Sequence, residues 1–180
     1  MVGDYANDER GSDAGAAYVF VADGGFWSEA NKLAPAGLDV DDQFGTAVAG
    51  DGDWALVAAW NDDSQAEDAG AVYVFHREGA SWEQVDVLFA PDPEQFAGFG
   101  SSLALEYPYA VVSAKLEDTG ENNAGAVYVL RHDGTTWHEV AKLTSPQPAA
   151  DASFGWAVDI SGDHVVASQL SPALTVVFRR

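Results

Sequence analysis

Ala69-Gly70-Ala71-Val72-Tyr73-Val74-Phe75 decides the fold, because near copies of it stand at equal distances on either side. Ala14-Gly15-Ala16-Ala17-Tyr18-Val19-Phe20 precedes it by 55 residues, and Ala124-Gly125-Ala126-Val127-Tyr128-Val129-Leu130 follows by another 55. A period of this length marks an array of small supersecondary units, each stacked on its neighbour to bury an apolar face it cannot bury alone. Without any gap, the same period aligns Tyr18, Tyr73 and Tyr128, then Trp27, Trp82 and Trp137, then Leu33, Leu88 and Leu143. It also aligns Phe44-Gly45, Phe99-Gly100 and Phe154-Gly155.

Each unit holds four runs of strand character separated by turn signals. In one unit they are 44–49, 54–60, 70–75 and 82–89; in the next, 99–105, 109–114, 124–130 and 137–143. Asp51-Gly52, Asp133-Gly134 and Gly162-Asp163 supply the positive backbone dihedrals of tight hairpins, and Tyr107-Pro108 another short corner, so consecutive strands pair antiparallel. No helical period is present. The third run is apolar at every position, as in a strand covered on both faces, whereas the fourth interleaves Trp82, Val85, Val87 and Leu88 with Glu83, Gln84 and Asp86 as an outer strand would. Four-stranded antiparallel sheets, dry on both faces and repeated along a chain, are the blades of a β-propeller. The repeated aromatic positions then read as core packing, and truncating Trp82 is expected to cost roughly 3–5 kcal/mol.

The units fall at residues 1–43 (strands 2 to 4), 44–98, 99–153 and 154–180 (strands 1 to 3), all of one propeller domain and fourteen strands in total. A ring of 4–8 four-stranded blades needs more, so the expectation is a piece of a larger propeller or an open arc, with further blades as partners.

The motifs Phe44-Gly45-Thr46-Ala47-Val48, Phe99-Gly100-Ser101-Ser102-Leu103 and Phe154-Gly155-Trp156-Ala157-Val158, which open the units, with the Ala-Gly-Ala strand about 25 residues on, resemble the FG-GAP repeat of integrin-α-like propellers. The resemblance covers nearly the whole chain. It departs from the family at the Gly-Ala-Pro segment, here Ala58-Ala59-Trp60, Ser113-Ala114-Lys115 and Ser168-Gln169-Leu170. It also departs at the acidic loop between strands 1 and 2 that binds calcium in some members, so that site is not carried over. Kelch propellers share the blade length but have paired glycines after strand 2 that are missing here. The resemblance implies a non-catalytic scaffold for extracellular protein or glycan binding, or adhesion, at the cell surface.

Composition bounds the partners. There are 29 acidic against 8 basic residues, a formal charge of −21, which argues against nucleic acid and anionic lipid. No apolar run approaches the ~20 residues that span a bilayer, so membrane insertion is not expected. The absence of cysteine excludes thiolate chemistry. The acid gathers at one end of the blades, in the connections between strands 2 and 3 and between blades: Asp8, Glu9 and Asp13; Asp62, Asp63 and Asp68; Glu117, Asp118 and Glu121. Three readings compete for it: a docking face for a basic protein or glycan, a calcium site for which Asp62, Asp63 and Asp68 are the candidate ligands, and general solvation in concentrated salt. His76, His132 and His138 border the opposite hairpins and His164 opens a strand; they read as surface histidines. No nucleophile or metal-ligand spacing appears, so no catalytic residue is assigned and an enzyme is not expected. A segment of a polysaccharide hydrolase or lyase propeller is the catalytic alternative.

Overall fold

The structure, a computed structural model, describes residues 1–179. Among the described residues fourteen strands form four antiparallel meanders. Sheet 1 is β1 (Val2–Asp4), β2 (Ala16–Asp23) and β3 (Phe26–Leu33); sheet 2 is β4 (Phe44–Asp51), β5 (Trp54–Ala59), β6 (Ala71–Glu78) and β7 (Ser81–Leu88). Sheet 3 is β8 (Phe99–Glu106), β9 (Tyr109–Ala114), β10 (Ala126–His132) and β11 (Trp137–Thr144); sheet 4 is β12 (Val158–Ser161), β13 (His164–Gln169) and β14 (Leu174–Arg179). In each sheet the strands pair in chain order, as the turn signals require, and the division into units of three, four, four and three strands agrees with the repeat. Arg180, the last residue of the fourth unit, lies outside the described residues.

Three apolar layers lie between the four sheets. Phe44, Ala55, Val57, Tyr73 and Phe75 of sheet 2 meet Ala17, Val19 and Leu33 of sheet 1. Leu56, Ala58, Val72 and Val74, the alternate residues of the same strands, meet Ala110, Val112, Tyr128 and Leu130 of sheet 3. Val111, Val127 and Val129 then meet Phe154, Val165 and Ala167 of sheet 4. The period-two alternation of a strand thus sends successive side chains to successive junctions, so a central strand must be apolar throughout. Residues 71–75 are all buried.

The two repeated motifs meet across these junctions. The backbone N–H of Phe99 donates to Ala69 O at 2.8 Å, and that of Phe154 to Ala124 O at 2.8 Å. At Gly70 the backbone has φ +84°, and a Cβ there would lie 2.3 Å from Phe99 O. The reciprocal glycine, Gly100 at φ +100°, would place a Cβ 2.8 Å from Ala58 Cβ. Each Ala-Gly-Ala therefore receives the Phe-Gly of the following sheet at backbone distance, which is why neither glycine carries a side chain. The buried phenylalanines of the motif stand edge-on to the tyrosine column: Phe44 against Tyr73 at 5.3 Å and Phe99 against Tyr128 at 5.5 Å between ring centroids.

The tryptophan column departs from the core reading. Trp137 and Trp82 are partly buried, and Trp27 is 73% exposed. Each tryptophan of an outer strand packs toward the preceding junction, so Trp137 leans on the layer between sheets 2 and 3 and Trp82 on the layer between sheets 1 and 2. Among the described residues no sheet lies against the corresponding face of sheet 1, and Val2 and Trp27 are exposed on it.

Candidate functional site

The acidic connections all emerge at one end of the sheets, and their carboxylates first build the loops. In three successive repeats an aspartate accepts from the backbone N–H five residues on: Asp8 from Asp13 at 2.9 Å, Asp63 from Asp68 at 2.7 Å and Asp118 from Asn123 at 2.8 Å. The donor residue is left-handed each time, with φ near 50° at Asp13, Asp68 and Asn123, a conformation that Asp and Asn tolerate best among residues with a Cβ.

In the first two of these repeats the tyrosine column reaches a polar residue near the start of the loop. Tyr73 Oη donates to the buried Asp62 Oδ2 at 2.9 Å, and Asp62 Oδ1 accepts from Ser64 N at 2.9 Å. One repeat earlier Asn7 Nδ2 donates to Tyr18 Oη at 3.3 Å. One repeat later the partners change: Lys142 bridges the buried Glu117 and Asp92, at 2.6 Å to each, and Tyr128 Oη donates to Asp92 at 2.8 Å. Glu117 also accepts from the N–H and hydroxyl of Thr119. Burial, then the Asp62 carboxylate, raises the Tyr73 phenol above its ordinary range. At Asp92 burial works upward, but the bonds from Lys142 and Tyr128 outweigh it and hold the carboxyl below the usual value.

These assignments place every acid named from the sequence. Asp62 and Glu117 are buried structural groups, Asp8, Asp63 and Asp118 shape loops, Asp13 and Asp68 occupy the left-handed turn, and Glu9 pairs with Lys32 at 2.6 Å. Glu121 is exposed. Asp62 and Asp63 thus accept internal hydrogen bonds, Asp68 contributes its backbone N–H and left-handed turn, and among the described residues no three Asp, Glu or His side chains are grouped to hold a metal ion.

Two features of this end were not legible as a site. Asp42, which stands where the next repeats have the buried Ala97 and Ala152, is only 5% exposed and lies close enough to Asp62 to feel its charge. Burial first, opposed by the Asp39 N–H and reinforced by Asp62, pushes its carboxyl up to about 6. The second feature is a cation held between rings: Lys115 Nζ lies 4.0 Å from the Trp60 ring and 5.0 Å from Trp156, joining sheets 2, 3 and 4. Burial lowers its ammonium pKa.

Around these residues the same end exposes Tyr5, Val40, Phe96, Trp156 and Leu170. Phe96, at φ +64°, donates its N–H to Glu67 O at 2.8 Å, so the connection between sheets 2 and 3 is tied to the loop between β5 and β6. The face thus combines carboxylates with large apolar side chains on loops pinned by backbone bonds.

Residues 27–75, 82–130 and 137–171 each match the FG-GAP repeat as a family unit, together well over half of the chain. Each match opens at a tryptophan of an outer strand and runs into the following sheet, so the unit recognised by sequence straddles a junction between sheets. No curated protein matches the chain.

Proposed function

The chain belongs to the FG-GAP repeat family, and from that premise we propose that it is a non-catalytic scaffold that docks a basic protein on its acidic loop face. The observation that carries this is the coincidence, at one end of the sheets, of the acidic loops with exposed Tyr5, Val40, Phe96, Trp156 and Leu170. Solvation alone calls for carboxylates and leaves no reason to expose large apolar side chains among them; apolar anchors rimmed by charge are the composition of a protein interface. Carboxylates at the rim steer a basic partner and set the salt dependence of its approach, while the apolar groups supply affinity on contact. Such a role belongs on the outer surface of a cell, and the high acid content suits concentrated salt.

A displayed library of 20-residue peptides, selected against the immobilised chain in 0.15 M salt, tests the reading. Enriched peptides should be basic with interspersed aliphatic or aromatic residues, and the double variant Phe96→Ala, Trp156→Ala should lose them. Selection of neutral or acidic peptides, no enrichment, or equal binding by the variant would overturn it. The same selection repeated with and without millimolar calcium separates a metal-dependent face from a metal-independent one.

A further inference from the structure

At the opposite end of the molecule, between sheets 2 and 3, a group of rings breaks the repeat. Trp54 stacks on Tyr107 with centroids 5.1 Å apart and planes within 9°. His76 and His132 lean on Trp54 at 4.6 and 4.9 Å, and Trp137 meets it edge-on at 6.2 Å. Tyr107 Oη and His132 Nδ1 are 3.0 Å apart. His132 is 8% exposed, so the surface assignment read from its sequence position does not hold for it. In a repeat protein, scaffold positions recur. Here Trp137 does, and Trp54 keeps an aromatic ring as Tyr109, but the other three do not: one repeat earlier Tyr107 is Gly52, His132 is Arg77 and His76 is Val21, and one repeat later Tyr107 is Gly162 and His76 is Arg131. Junction packing alone therefore does not require Tyr107, His76 or His132.

The rings form the floor of a depression of about 260 Å³ that Asp86 and Thr135 also line. A second depression, of about 320 Å³, shares Asp86 and Trp137 with it and runs along the outer strands past Leu88, Pro91 and Glu139.

We infer that this elongated groove binds a neutral oligosaccharide. Neither depression is lined by lysine or arginine, and two carboxylates, Asp86 and Glu139, line them, which rejects anionic ligands. A sugar ring offers C–H groups on its faces and hydroxyls on its rim: Tyr107 and Trp137 suit the first, while the Asp86 carboxylate and the Thr135 hydroxyl suit the second. Two joined depressions suit a chain of sugar units rather than one.

The test titrates the full chain with cellohexaose, mannohexaose and maltohexaose by calorimetry, with tetramethylammonium as a cationic control. At least one hexaose should bind saturably with a Kd of about 1 mM or tighter. Asp86→Asn and Tyr107→Ala should each weaken binding at least ~5-fold with the melting temperature within a few degrees of the parent, and Phe96→Ala on the loop face should leave it unchanged. The inference is overturned if no hexaose binds, if binding survives Asp86→Asn at full affinity, or if tetramethylammonium alone binds.

Discussion

At the scale of single residues, the motif glycines and tyrosines carry separable tasks. Gly70→Ala forces a Cβ toward Phe99 O in a left-handed backbone; unfolding by urea should show a loss of at least about 2 kcal/mol, against a few tenths at the unhindered Gly79 beyond its own left-handed cost. Tyr73→Phe leaves Oδ2 of the buried Asp62 without its donor and should cost about 1–3 kcal/mol, whereas Tyr18→Phe, whose hydroxyl meets Asn7 at the partly exposed end of sheet 1, should cost under about 1 kcal/mol. Asp42 gives a pH signature. Its folded-state pKa of about 6 stands above the ordinary 3.8, so its contribution to stability is complete below pH 4 and is lost as pH rises through 6. Asp42→Asn should therefore match the parent near pH 4 and exceed it by roughly 2–3 kcal/mol above pH 7. Parallel denaturation curves with a constant offset would contradict this.

At the scale of elements, equivalent residues on equivalent strands differ in worth because their junctions differ. Trp137, on β11, packs into a completed layer between two four-stranded sheets; Trp27, on β3, stands on a face with nothing against it. Trp137→Ala is expected to cost about 3 kcal/mol and Trp27→Ala under about 1 kcal/mol, with Trp82→Ala between them, measured as thermal or urea unfolding of the three variants side by side. The outer strands carry the mixed pattern that the sequence announces, and the third strands carry the uninterrupted apolar one. Hairpin ends add links of their own: Asp51 on sheet 2 accepts from Tyr107 N at 2.9 Å, and Glu106 on sheet 3 from Gly162 N at 2.9 Å. An acid at the end of each of these first strands thus caps the corner of the following sheet.

Across the whole molecule, charge is the dominant variable. With a formal charge of −21, carboxylates repel over the full array at 0.01 M salt, where the Debye length is about 30 Å, and are screened at 1 M, where it is about 3 Å. The melting temperature should rise with KCl between these limits. Coincident melts would show that the loop hydrogen bonds absorb the repulsion locally and would remove concentrated salt as the reason for the acid. The two ends of the molecule also differ in kind: one presents loops of carboxylates and apolar side chains, the other short hairpins over a group of rings.

The sequence by itself determined the strands, their antiparallel order and their grouping into sheets, because period-two patterning, hairpin turn chemistry and a 55-residue repeat are local or self-referential signals. It also marked the acid-rich end. Only the tertiary structure decided which acids are buried, since Asp62 and Glu117 look like their exposed neighbours until Tyr73 and Lys142 close on them. The same holds for Trp27 and His132: each is read from its position in the repeat, but burial depends on what the neighbouring sheet places opposite, and that is a property of the junction rather than of the strand.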